Sequence, residues 1–210
     1  MALNDFQRAF ESAQQANRIR LTAEGLEIEC YAYCRQEDGT DKAIEAGERY
    51  LRLFPANARV LNNLGRCYLE KRRFNDAQKV LDTACEMEPE LLQARFNRAS
   101  VELRRIQLTN HPPSDQSLAD MRKVVAAPQK SGEPYLILVS LLSRLPKRAP
   151  VLLDEIRSLI KTGTKLGIPH GAMKSFAPRL PEVSVAEFGE LLVKRDAPDT
   201  FKFDPFVAPF

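Results

Sequence analysis

Apolar residues recur every three or four positions along most of the chain, the spacing of amphipathic helices rather than strands. Segment 38–55, DGTDKAIEAGERYLRLFP, opens with a polar turn, runs as one amphipathic helix and stops at Pro55. Segment 72–89, RRFNDAQKVLDTACEMEP, repeats that arrangement and stops at Pro89. A 34-residue step superimposes them, placing Ala43 on Ala77, Asp41 on Asn75, Glu48 on Asp82 and Leu53 on Met87. A fixed internal period of this size is the signature of stacked helix pairs.

The same reading predicts helices around this core. One covers 3–18, begun by Asn4 as N-cap, with Ala9, Ala13 and Ala16 in the register of Ala43, Gly47 and Tyr50. Another carries Leu26, Cys30, Tyr33 and Cys34, and a third covers 90–105 with Ala94, Phe96 and Ala99. The run His111-Pro112-Pro113-Ser114-Asp115 predicts a loop. Helices then follow from near Ser117 to Pro128, over 134–145, which is apolar on most sides and therefore buried, and over 149–161, ending at Gly163. Residues 168–182 are rich in Pro and Gly, and Ser184 with Glu187 forms a capping box for a last helix over 185–195.

Segment 58–91 resembles the tetratricopeptide repeat. Leu61, Leu64-Gly65 and Tyr68 take the first-helix positions of that pattern, and Ala77, Leu81, Ala84 and Pro89 take those of the second helix. Gly65 and Ala77 leave room where two helices cross, and Pro89, lacking an N–H, suits the start of the next helix. Segment 24–57 is a looser copy, with Cys30-Tyr31 in place of Leu-Gly, Cys34 in place of Tyr, and Gly47 where a bulky residue is expected. The resemblance implies an all-α fold: a right-handed α-solenoid of about four helix hairpins with degenerate C-terminal helices and an extended tail. One helical domain is expected over 1–195, its repeats recognisable over 24–105 and degenerate over 106–195, followed by a Phe- and Pro-rich tail over 196–210.

In that family the first helices line a concave face, so the resemblance implies a peptide-binding surface at their outward positions. These are Arg35, with Ile28 and Ala32, in the first unit; Arg59, Asn62, Asn63 and Arg66, with Leu69, in the second; and Phe96, Asn97 and Ser100, with Gln93 and Leu103, in the third. Asn side chains both donate to and accept from a peptide backbone, and Arg pairs with carboxylates. The plain alternative is that these positions are merely the exposed sides of helices. The basic and Asn clamp by which some relatives hold the acidic C-terminus of heat-shock chaperones is matched here by Asn63 alone; Ile28, Ala32, Gln93 and Asn97 depart from it. The expected function is a non-enzymatic adaptor or scaffold that binds a partner's peptide segment. The alternative is a dedicated client chaperone similar to the small tetratricopeptide chaperones of type III secretion.

Composition narrows this further. The formal net charge of the 210 residues is +3. The basic clusters Lys71-Arg72-Arg73 and Lys147-Arg148 fall in predicted turns, so no basic face for nucleic acid is expected. Charge meets the opening residues before any apolar run, and the longest apolar stretch, 135–142, is far short of the ~20 residues that cross a bilayer; no membrane partner and a cytoplasmic location are expected. Cys30 and Cys34 share a helical face and would suit half a metal site, but no second pair of ligands follows; with Cys67 and Cys85 they read as buried thiols, and no metal or cofactor is expected. The stretch Lys161–Gly167 lacks the spacing of a phosphate loop, no H-E-x-x-H occurs, and no catalytic residues are assigned. In the tail, Phe201, Phe203, Phe206 and Phe210 carry too much apolar surface for a solvated segment. They predict either a clasp on the last helix or docking into a groove of this chain or a second copy, where Asp199 and Asp204 could meet Arg35, Arg59 or Arg66.

Overall fold

The computed structural model describes residues 2–169, 171–172, 175–183, 187, 190 and 191. Among them every regular element is a helix. The chain divides into two compact units, Met1–Val101 and Glu102–Phe210.

The first unit contains α1 (Ala2–Ile19), α2 (Ala23–Tyr33), α3 (Thr40–Leu53), α4 (Ala58–Glu70), α5 (Phe74–Met87) and the start of α6 (Leu92–Thr109). Each helix from α1 to α4 packs on the next, and α2 also touches α4. Side-chain caps begin the first helices: Thr22 Oγ1 accepts from the Gly25 N–H at 3.0 Å, and Asn57 Oδ1 accepts from the N–H groups of Arg59 and Val60. Prolines end the second helices. Phe54 and Glu88, each preceding a proline, adopt φ of −132° and −129°, outside the helical region that proline disfavours for its predecessor.

The 34-residue period holds at both ends of α3 and α5 but not along α2, which stops at Tyr33 and gives way to a turn reaching Gly39. Gly47, where a bulky residue was expected, is explained by its neighbour. A Cβ there would stand 2.6 Å from Leu64 Cγ, so the volume missing from α3 is supplied by α4. Ahead of α2, the expected cap moves. α1 already runs from Ala2, so Asn4 lies inside it, and its buried face carries Phe10 and Ala13 while Ala9 and Ala16 are exposed. Phe10 meets Tyr33 edge-on at 5.1 Å, and Gln14 Nε2 donates to the Tyr33 hydroxyl at 2.7 Å, which docks α1 on α2.

The second unit contains α7 (Asp115–Ala126), α8 (Glu133–Leu142) and α9 (Pro150–Lys165), followed by a short 3-10 turn at Ala177–Arg179. Ser114 caps α7 by accepting from the Ser117 N–H, and Glu102 accepts from the Ser114 hydroxyl at 2.6 Å. All residues of α8 but Tyr135 are buried, as its all-round apolar character requires. α9 does not stop at Gly163, which is buried within it. It runs to Lys165, and the chain turns at Gly167, with φ of 102°, where the Ile168 N–H reaches the Gly163 carbonyl and the Gly167 N–H the Thr164 carbonyl. The helix expected over 185–195 falls largely outside the described residues, and the tail over 196–210 lies wholly outside them.

Candidate peptide-binding face

α2 and α4 lie side by side and run in the same direction. At one end Asn57 Nδ2 donates to Glu27 Oε2 at 3.3 Å; at the other the Cys34 thiol reaches the Asn63 carbonyl at 3.5 Å. Thr40, which starts α3, donates to Glu70 at the end of α4 at 2.5 Å, so the returning helix is anchored at the same end. Two adjacent first helices are thereby held together.

The expected contact residues divide into two groups on this framework. Arg35 and Arg59 are exposed, and neither has a carboxylate partner among the described residues. The Arg35 guanidinium stands 5.8 Å from the ring centroid of Tyr31, itself an exposed aromatic side chain. Asn63 and Arg66 are half-buried, and Arg66 Nε lies 3.7 Å from Glu70 Oε1.

Asn62, Phe96, Asn97 and Ser100 are buried, against the outward orientation expected for them. Asn97 Nδ2 donates to Asn62 Oδ1 at 2.8 Å, so the two amides tie α6 to α4. Ser100 donates to the Phe96 carbonyl one turn earlier on its own helix, and Phe96 has no exposed surface. Ala32 and Leu69 are likewise buried. For Asn62 and Asn97 the physical reason is the approach of α6 to α4, which turns positions between the two helices into seam rather than surface. Helical spacing alone identifies which residues leave the intra-hairpin seam, not which enter the seam between hairpins.

A second set of side chains knits the hairpins from the other side. Tyr68 donates from its hydroxyl to Glu48 Oε1 at 2.8 Å, linking α4 to α3. The Arg73 guanidinium stacks 4.3 Å from the Tyr68 ring centroid while Nε pairs with Asp76 at 2.7 Å. Burial and then the bond to Glu48 push the Tyr68 hydroxyl well above its ordinary pKa. Arg98 bridges to Asp82 at 3.1 Å, tying α6 to α5. Tyr31 is an accessible aromatic beside Arg35 that the pattern did not single out; its signal was the aromatic standing where the repeat calls for glycine.

The hairpin order, the glycine notches and the proline stops coincide with a match to the family described as tetratricopeptide repeat over residues 35–99. These residues are tetratricopeptide repeats. Solved structures share the fold: a MamA double mutant from strain RS-1, with a TM-score of 0.57 at 13% identity over 89% of each chain, and MamA residues 41 to the end from Desulfovibrio magneticus RS-1, with a TM-score of 0.55 at 12% identity over 89% of this chain and 88% of that one. No curated protein matches. Tetratricopeptide repeats bind other proteins. Among the described residues no helix is long and apolar enough to cross a membrane.

Proposed function

We propose that the surface of α2 and α4 binds an extended, acidic segment of another protein, making this chain a non-enzymatic adaptor. The observation that carries the reading is the pair of exposed guanidiniums, Arg59 on α4 and Arg35 in the turn that follows α2, both without carboxylate partners among the described residues. Cys34, next to Arg35, meets α4 at Asn63 and Cys67, four and eight residues after Arg59, a rise of roughly 10 Å along α4 at 1.5 Å per residue. An extended peptide covers that distance in about three residues, so carboxylates a few positions apart would meet both. Tyr31 offers an apolar contact beside them, and Asn63 and Arg66 lie along the same path.

The test is an array of peptides that vary the number and spacing of acidic residues, probed with the full chain. Selective binding of peptides with two spaced carboxylates is expected, weakening with salt. Replacing Arg35 and Arg59 together by Glu should abolish it with an unchanged circular dichroism spectrum. Binding that ignores peptide charge, or survives the double substitution, rejects this face. Co-purification then separates the two roles: several members of one assembly mark a scaffold, and one stoichiometric client marks a dedicated chaperone. Self-association through the tail is a separate proposal, tested by light scattering after deletion of 197–210.

A further inference from the structure

Three of the four cysteines converge on the contact between α2 and α4. Cys34 is the C-cap of α2, and its Sγ stands 2.8 Å from Sγ of Cys67 on α4. Two unbonded sulfurs in ordinary contact would be farther apart, so the two side chains already point at one another across the helix pair. Cys30 lies one turn before Cys34 on α2. All three are unpaired and buried; Cys34 retains 5% exposure, while Cys30 and Cys67 retain none.

We propose that Cys34 and Cys67 are a reversible dithiol couple, closed into a disulfide by exchange with a small-molecule disulfide and reopened by excess thiol. The positions differ in chemistry. Thiol hydrogen bonds from Cys30 and Cys67 and the nearby Arg66 guanidinium hold Cys34 below its ordinary pKa, whereas hydrogen bonding to Cys34 and burial raise Cys67. Cys34, which alone of the pair keeps exposed surface, is therefore the sulfur that attacks first. It also stands at a helix end, followed by the exposed residues 35–38, where local opening admits a reagent.

The exchange balances in two steps. The Cys34 thiolate attacks one sulfur of the small disulfide; an S–S bond to Cys34 forms, and one small thiolate leaves. The Cys67 sulfur then attacks Sγ of Cys34, the mixed disulfide breaks, and the second small thiolate leaves. The protons of the two protein thiols pass through solvent to the leaving thiolates. One protein dithiol is oxidised and one small disulfide is reduced to two thiols. The bond would fasten α2 to α4 directly behind the Asn63 carbonyl and beside Arg66. Cys85, on α5, takes no part.

The experiment equilibrates the full chain with oxidised and reduced glutathione at set ratios. Remaining thiols are then blocked and the intact mass and the non-reduced peptide map are read. The expected result is an intramolecular loss of two hydrogens at oxidising ratios, a cross-linked peptide joining Cys34 to Cys67, a melting temperature several degrees higher, and full reversal by dithiothreitol. Cys85→Ser should retain all of this. Cys67→Ser should stop at one glutathione adduct on Cys34. Because a serine in a buried site can unfold the chain, Cys67→Ala is carried alongside it, with circular dichroism as the check. A four-thiol protein at every ratio overturns the proposal, as does a bond between any other pair of cysteines or an adduct at Cys85 in place of Cys34. The readout is independent of peptide binding, so it stands or falls apart from the proposed adaptor role.

Discussion

Gly65 on α4 passes so close beneath Leu81 on α5 that a Cβ at the glycine would stand 2.7 Å from the leucine Cδ2. The leucine is fully buried and has no open space to swing into. Gly65→Ala should therefore cost about 1–3 kcal/mol in urea unfolding, and Gly65→Leu more, the usual penalty for overfilling a packed seam. Leu81→Ala in the Gly65→Ala background should recover part of that loss, a non-additivity expected only for side chains in contact. Additive effects would show that the seam relaxes elsewhere.

The buried amide pair Asn62–Asn97 yields a prediction of opposite form. Asn97→Ala leaves the Asn62 side-chain oxygen buried without its donor and should destabilise the fold by about 1–3 kcal/mol. Replacing both residues by Leu removes donor and acceptor together and should cost much less than the sum of the single changes. Equilibrium unfolding of the two single variants and the double variant decides it.

Arg72 occupies the left-handed region, φ 57°, at the end of α4, where its N–H bonds to the Leu69 carbonyl and the Arg73 N–H to the Tyr68 carbonyl. Glycine fills this position without the side-chain penalty. Arg72→Gly should raise stability by up to about 1 kcal/mol, the left-handed cost set against the added freedom of the unfolded chain. A melting temperature below wild type would show that the arginine side chain contributes more than its backbone costs.

Tyr68 predicts an alkaline limit. The folded state retains its hydroxyl proton at pH values where the unfolded chain, titrating near pH 10, gives it up. The fold then binds more protons than the unfolded chain, so stability is fully present below about pH 10 and declines as pH rises past it. Tyr68→Phe should flatten that decline. At neutral pH it should cost about 1 kcal/mol for the lost bond to Glu48. An unchanged alkaline slope would assign the decline to other groups.

The hairpins were legible because their grammar is local. Pro55 and Pro89 constrain the residue before them, Leu64-Gly65 and Ala77 mark a crossing, and the period of α3 against α5 needs no tertiary information. The end of α9 was misread for a related reason. Gly163 and Gly167 look alike in sequence, and only the backbone bonds returning to Gly163 and Thr164 show which glycine turns the chain. The face was half legible. Arg59 is exposed, as the helical phase indicates, and Arg35 stands exposed in the turn after α2, whereas Phe96 and Ser100 are buried and Asn62 and Asn97 pair with each other between α4 and α6. Polar type gave no warning, because an amide paired across helices and an amide facing water are the same letter. The Cys34–Cys67 contact was hidden in the same way, by a separation in sequence that only stacking closes.

Leu64 occupies the notch left by Gly47, and one period later the residue in the place of Leu64 is Arg98, facing Asp82 rather than a notch. The repeats are thus written in one period yet are not spare parts for one another. Excising residues 56–89 would preserve the reading frame of the pattern and splice α3 to α6, but it would drive a guanidinium against Gly47 and exchange its partner Asp82 for the register equivalent Glu48. Shortening this array is a change of chemistry at the splice, and lengthening it requires the new hairpin to bring its own leucine for the glycine it meets.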